Sequence, residues 1–315
     1  MSVAPFSFSG KSVTPGTRKQ VHLPLTRLPV GGMFTLPVDV LHGANAGPTL
    51  WLSGAIHGDE IVGVEIIRQV LNEIDESQLS GTIIAAPVVN VFGFLAESRY
   101  LPDRRDLNRC FPGSRRGSLG AQLARLFLDE VVSRCDYGLD YHAGSDDRTN
   151  LPQIRGNMDD AETRRLSVAF GAPLVFHSDP MKGTLRAAAL KSGKCVLLFE
   201  GGEPRRFSPR AVDVGVAGTF RVLDALGMTE IPTPRVTTPP RLARSAKWGR
   251  APRGGIFRLE TRLGARVEAD QRLGVIGKPF TRPYIASHRY AFLITEVACD
   301  FAPAHIGICE RERIA

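Results

Sequence analysis

Residues Pro48-Thr49-Leu50-Trp51-Leu52-Ser53-Gly54-Ala55-Ile56-His57-Gly58-Asp59-Glu60 decide how the rest of the chain reads. The apolar run from Pro48 to Ala55 is a short buried strand. Beyond Glu60, the residues Ile61, Val64, Ile67, Leu71 and Ile74 fall on one helical stripe, an amphipathic helix. Between the two lies a polar turn, His57-Gly58-Asp59-Glu60, at the carboxyl end of a strand, where Gly54 and Gly58 let the backbone turn sharply. The same alternation continues downstream. Strands are expected over 82–91, 137–141 (ending at His142), 174–176 and 195–200, and helices over 119–132, 165–170, 184–190 and 209–226. Upstream, 21–43 reads as two strands around a turn at Pro29–Gly32. Strands apolar on both faces, interleaved with amphipathic helices, imply an α/β fold: a mixed, largely parallel sheet with helices on both faces. In such sheets ligands gather at the carboxyl ends of the strands.

Pro232, Pro234, Pro239 and Pro240 then interrupt the pattern. We divide the chain into a catalytic domain over 1–230, a Pro-rich linker over 231–242 and a small C-terminal all-β domain over 243–315. The last part carries short β-type runs at 255–259, 272–276 and 291–297.

The chain has 315 residues, 43% hydrophobic and 23% charged, enough apolar side chain for a core and too much for disorder. Its most apolar window, 82–96, is broken by Pro87, Asn90 and Gly93 and is shorter than the roughly 20 residues a bilayer demands, so no membrane span is expected. The first residues show no apolar signal core. Cys110, Cys135, Cys195, Cys299 and Cys309 are scattered and never form a CxxC pair, which speaks against disulfides and thiolate zinc and for a cytoplasmic protein. Net charge is +8, and 33 of the 40 basic residues are arginine. They are dispersed along the chain, with doublets such as Arg104–Arg105 and Arg164–Arg165, rather than gathered on one helix or tail, so no nucleic-acid partner is expected. An Arg-biased solvated surface or an electropositive funnel for an anionic substrate would each account for them.

Four polar clusters fall at strand ends or on the loops after them. His57 and Glu60, three residues apart, could converge on one ion, or the acidic pair Asp59-Glu60 could simply favour the start of the following helix. His142 closes the strand in Leu139-Asp140-Tyr141-His142-Ala143-Gly144; with His57 and Glu60 it completes the two-His, one-carboxylate set of a catalytic zinc site. Asp140, on the alternate position, could orient a ring nitrogen. The long loop Arg99-Tyr100-Leu101-Pro102-Asp103-Arg104-Arg105-Asp106-Leu107-Asn108-Arg109-Cys110-Phe111-Pro112-Gly113 supplies in Asn108 and Arg109 an amide and a guanidinium fork suited to a carboxylate. In Leu197-Leu198-Phe199-Glu200-Gly201-Gly202, Glu200 directly follows an apolar strand, where burial would push a carboxyl toward what a general base needs.

Taken together, these segments resemble the succinylglutamate desuccinylase/aspartoacylase family, relatives of the zinc carboxypeptidases. All four occur in the family's order across 50–203. The tail is similar too, through Lys247-Trp248-Gly249-Arg250-Ala251 and Leu273-Gly274-Val275-Ile276-Gly277-Lys278-Pro279-Phe280. The resemblance implies a zinc carboxypeptidase-like fold and one Zn²⁺ held by His57, Glu60 and His142. It further implies that Glu200 shuttles a proton from water to the leaving amine, that Arg99 polarises the scissile carbonyl, and that Asn108 and Arg109 grip a substrate carboxylate. The substrate would be a small N-acyl amino acid or related compound. The tail resembles a biotinyl/lipoyl-type hammerhead, but Lys278 in Gly-Lys-Pro is poorly suited to carry a prosthetic group and none is assigned. A homodimer is the ordinary default.

Two features of the family are not matched in register. No arginine stands where aspartoacylases place one before the catalytic glutamate to hold a diacid. Nor does their substrate-contacting tyrosine have a clear counterpart, Tyr284 and Tyr290 being the tyrosines of that region. The acyl group therefore stays open. A zinc carboxypeptidase acting on peptides would need the same ligands and an open cleft, and a non-catalytic binding module could keep the fold alone.

Overall fold

The structure, a computed structural model, describes residues 3–28, 30–234, 236–251 and 254–277, together with the backbone of strands at 284–287, 292–297 and 305–311. Lys278 and Tyr290, and the side chain of Tyr284, lie outside the described residues.

The chain opens with a small hairpin, β1 (Phe6–Phe8) and β2 (Lys11–Val13), and a long one, β3 (Thr17–Arg27) and β4 (Met33–His42). Then come β5 (Asn45–Ser53), α1 (Val62–Glu73), β6 (Ser80–Ala86), the short α2 (Val91–Leu95) and α3 (Leu119–Glu130). The centre of the chain forms β7 (Tyr137–His142), β8 (Thr149–Gly156), α4 (Ala161–Phe170) and β9 (Leu174–His177). It continues through α5 (Leu185–Lys191), β10 (Cys195–Gly202) and α6 (Pro209–Ala225). The described residues of the C-terminal part form β11 (Arg241–Arg250), β12 (Ile256–Leu259), β13 (Arg266–Val267), β14 (Arg272–Gly277), β15 (Tyr284–Ser287), β16 (Phe292–Val297) and β17 (His305–Arg311).

Among the described residues, twelve of these strands form one mixed sheet in the order β13-β16-β17-β11-β9-β8-β10-β7-β5-β6-β4-β3. Its middle is parallel where β5 pairs with β6 and β7, β7 with β10, and β8 with β9; β8 runs antiparallel to β10. Helices cover both faces. On one, Val62, Ile66 and Val70 of α1 meet Leu166 and Phe170 of α4 and Phe220 and Leu223 of α6. On the other, Leu123 and Phe127 of α3 pack with Leu185 and Ala189 of α5 around the fully buried Trp51.

Local chemistry explains the helix boundaries. Ser118, Asp160, Thr184 and Ser208 cap α3, α4, α5 and α6, each side chain accepting a hydrogen bond from a backbone N–H of the first turn. Pro209, at the first position of α6, has no N–H to leave unsatisfied. Gly171 ends α4 in the left-handed region, at φ +74°.

The tail does not stand apart. Strand β11 begins at Arg241, inside the stretch read as linker, and pairs in parallel with β9 through Arg241–Ala243. Strand β16 pairs with β8, Glu296 opposite Asn150. Leu151, Leu174 and Ala243 share a small apolar core across that seam. Among the described residues of the tail, β12, β14 and β15 form a separate three-stranded sheet.

Candidate metal centre and active-site cavity

His57 and Glu60 sit on the turn between β5 and α1, and His142 is the last residue of β7. The turn can approach the neighbouring chain closely only because residue 58 is glycine: a Cβ there would lie 1.9 Å from the carbonyl carbon of Gly93. The parallel register of β10 on β7 sets Glu200 directly opposite His142. Sheet topology thus gathers three segments at one carboxyl edge, where this class of sheet binds ligands.

One ligand atom from each of His57, Glu60 and His142 lies within 4.8 Å of the others, and all three side chains are buried. Glu60 bridges the two imidazoles, its Oε1 2.7 Å from His57 Nδ1 and its Oε2 2.8 Å from His142 Nδ1. The far nitrogen of each ring meets a second carboxylate: His57 Nε2 lies 3.1 Å from Asp106 Oδ1, and His142 Nε2 3.0 Å from Asp140 Oδ2. Asp140 is itself fully buried and accepts the Ser53 hydroxyl at 2.8 Å. A separate carboxylate at Nε2 can hold the N–H there, which makes Nδ1, facing Glu60, the nitrogen each ring would offer to an ion; this donor set fits a divalent metal of the zinc type.

The electrostatics agree. Burial acts against charge on Glu60, yet the two imidazoles hold its carboxyl well below the usual range. Burial likewise opposes protonation of His57 and His142, but the surrounding carboxylates raise both above the ordinary histidine value. Asp106 is held well below the carboxylate range, despite burial, by His57 and Arg99. Glu60, Asp106 and Asp140 thus supply the negative charge that surrounds the two rings, charge that a bound dication would share with Arg99.

Around this centre is a cavity of about 370 Å³, and all seven candidate residues line it: His57, Glu60, His142, Arg99, Asn108, Arg109 and Glu200. Arg99 is braced by Glu60 Oε1 at 3.1 Å and Asp106 Oδ2 at 2.9 Å. The Asp106 side chain also accepts the backbone N–H of Asn108, shaping the loop. Asn108 spends its side-chain carbonyl oxygen on the N–H of Leu185, tying the loop to α5, and Arg109 donates to the Asn108 backbone carbonyl.

The cavity wall also holds residues the sequence reading did not single out: Asn150 and Arg155 from β8, Arg186 from α5, Arg148, and Trp248 from β11. Arg186 is 7% exposed, donates to the Ser178 hydroxyl and the Asp179 carbonyl, and is lowered to about 10 by burial and by Arg155. It stands fourteen residues before Glu200 on a helix, where no motif spacing marked it. The Arg148 guanidinium lies 5.7 Å from the Trp248 ring centroid.

A family description, succinylglutamate desuccinylase/aspartoacylase catalytic domain, matches residues 46–226. An N-alpha-acetyl-L-2,4-diaminobutyric acid deacetylase of Halomonas elongata is 29% identical over 208 residues, spanning 63% of this chain and 60% of that relative's length. The crystal structure of a succinylglutamate desuccinylase/aspartoacylase from Rhodobacter sphaeroides superposes with TM-score 0.82 at 27% identity, covering 94% of this chain and 96% of the other. The product-bound ectoine utilization protein EutE (DoeB) of Ruegeria pomeroyi shares the fold, with TM-score 0.81 at 23% identity over 93% and 94% of the two chains. No helix among the described residues is long and apolar enough to cross a membrane. With the buried His-Glu-His cluster set at the edge of this sheet, the match over 46–226 makes the chain a member of the succinylglutamate desuccinylase/aspartoacylase family of deacylases.

Proposed function

We propose that this protein is a zinc-dependent amidohydrolase that removes the acyl group from a small N-acyl amino acid. The observation that carries the reading is the convergence, in one cavity, of a two-His, one-Glu ligand set, the Glu200 carboxylate and a wall of arginines. When bound by His57, Glu60 and His142, zinc supplies a Lewis acid that acidifies water and polarises the acyl carbonyl. Arg109, with the backbone and side chain of Asn108 holding its loop, binds the substrate carboxylate through its guanidinium fork. Arg99, clamped by Glu60 and Asp106, presents a preset cation to the oxygen on which negative charge grows during attack. Glu200 takes a proton from the attacking water and returns it to the departing amine nitrogen.

The relatives named above act on, or are named for, amides flanked by a carboxylate, whether acetyl-diaminobutyrate, succinylglutamate or acyl-aspartate. Arg155 and Arg186 add positive charge beyond what one carboxylate needs, which favours substrates with a second anionic group. A carboxypeptidase would need a cleft open on the side where the peptide chain leaves; the Trp248–Arg148 wall supports a small substrate instead.

Metal analysis of the purified protein, joined to a hydrolysis screen over acetyl, succinyl and formyl amino acids and short peptides, tests the reading. Glu200→Gln is expected to retain stoichiometric zinc and lose about 10²–10⁴ in kcat. Parental turnover in that variant would remove Glu200 as the base, and turnover on peptides alone would replace the deacylase reading by the carboxypeptidase one.

A further inference from the structure

Strand β8 carries an irregularity that falls at the active site. It pairs antiparallel with β10, with Leu198 opposite Arg155 and Glu200 opposite Gln153, but the next pair is Gly202 opposite Asn150. Over that step β10 advances by two residues and β8 by three, so β8 holds one extra residue. In a regular ladder Leu151 would oppose Gly202 and Asn150 would point to the other face of the sheet. The bulge turns Asn150 onto the face of Glu200. There Asn150 Nδ2 donates to Glu200 Oε2 at 2.8 Å.

Asn150 is 3% exposed, and its Oδ1 is buried without a hydrogen-bond partner among the described residues. A side chain that leaves one polar atom unmet in the interior is costly to keep for packing alone. Its backbone is held from both sides, by β10 and by β16, where Glu296 lies opposite. The other groups facing Glu200 include Gln153, directly opposite on β8, Arg155, whose Nη1 is 4.0 Å from Oε1, Arg186 from α5, and His142, its cross-strand neighbour on β7.

We infer that Asn150 is a positioning residue for the proton shuttle: its amide occupies Glu200 Oε2, so that Oε1 alone is left to receive and release the proton. This rests on the reading of Glu200 as the base. A carboxamide N–H can only donate, so it holds the carboxylate in one rotation and discriminates between its two oxygens. In the first step a water O–H breaks and an O–H forms at Oε1. In the second that O–H breaks and an N–H forms on the leaving amine. Throughout, Oε2 keeps its bond to Asn150.

The test compares Asn150→Ala, isosteric Asn150→Asp, Glu200→Gln and the double variant Asn150→Ala/Glu200→Gln, each loaded with zinc and assayed on the best substrate of the panel. Asn150→Ala is expected to lose about 10- to 100-fold in kcat, the worth of a hydrogen bond to a charged group, with KM within threefold and zinc content unchanged. Asn150→Asp, which preserves shape, sets a second carboxylate against Glu200 so that the pair shares a proton. The acid limb of its kcat–pH profile is expected to rise by at least one pH unit. In the Glu200→Gln background Asn150→Ala should cost less than twofold more, because the shuttle it serves is already gone. A parental kcat and pH profile in both Asn150 variants, beside a crippled Glu200→Gln, would overturn this inference alone. An undiminished further loss in the double variant would do the same, showing a merely structural role. Parental turnover in Glu200→Gln would overturn the base assignment and this inference together.

Discussion

Replacing Asp140 by asparagine probes the proposed metal centre without touching His57, Glu60 or His142. In the parent, Asp140 Oδ2 meets the N–H at His142 Nε2 at 3.0 Å and Oδ1 accepts the Ser53 hydroxyl at 2.8 Å, all of it fully enclosed. The amide has one oxygen and one NH₂ to place. An NH₂ facing His142 would set donor against donor, so the oxygen must turn to His142 and the NH₂ to Ser53, whose hydroxyl can rotate to accept. Packing survives, but the bond to the ring loses its charge assistance, worth roughly a factor of two in strength. The ring becomes a poorer donor of its Nδ1 lone pair. Loss of such an outer partner weakens metal binding by about 10- to 100-fold, or about 1.4–2.7 kcal/mol. Competition against a chromophoric chelator measures this directly, with Ser53→Ala as a control that leaves the carboxylate on the ring. A metal affinity within twofold of the parent, in an Asp140→Asn protein that melts normally, would refute the argument that Asp140 tunes the ligand.

Gly58→Ala is expected to strip the metal and destabilise the protein by several kcal/mol, because its Cβ would meet the Gly93 backbone at 1.9 Å and the ligand-bearing turn would have to move; thermal melting beside metal content measures both. Asp160→Ala removes the cap of α4 and should cost about 1 kcal/mol at neutral pH. Hydrogen bonds from Thr163 lower the Asp160 pKa, so its share of stability is fully present above the unfolded carboxylate value of about 3.9 and is lost as pH falls through the lower folded value. Urea titrations of parent and variant at pH 7 and pH 2.5 should therefore differ at the first and converge at the second; a constant difference would contradict the capping account.

The legible parts of the fold were those with local signatures. Alternation and the Pro-Val-Gly-Gly turn marked β3 and β4, the apolar run before His57 marked β5, and the glycines after Glu200 marked the end of β10. The His57–Glu60–His142 cluster was legible because two segments each carry an imidazole at or just past the end of an apolar strand. Strand β8 was missed for a physical reason. Thr149-Asn150-Leu151-Pro152-Gln153-Ile154-Arg155 is buried on both faces yet places polar residues inward, so it shows neither alternation nor a continuous apolar run. Its Asn150 and Arg155 went unread with it. Asp106 was visible inside its loop, but nothing in the loop said that it would bridge His57 and Arg99, a contact made by folding across 49 residues. Arg186 was masked by composition: in a chain with 33 arginines, one more on a helix carries no signal. Trp248 reaches the cavity only because β11 docks on β9, a pairing between segments more than sixty residues apart.

That docking also bears on what holds the cavity wall in place. Since β11 is zipped to β9 and β16 to β8, the aromatic wall of the cavity is continuous with the sheet that carries the ligands. Swinging the tail aside would unzip main-chain ladders and split the Leu151–Leu174–Ala243 core, a change on the scale of partial unfolding. That side of the cavity is therefore built on the same ladders as the sheet, with Trp248 of β11 beside Arg148 in its wall. Exchanging tails between relatives would, for the same reason, transplant a piece of the cavity wall along with the strands.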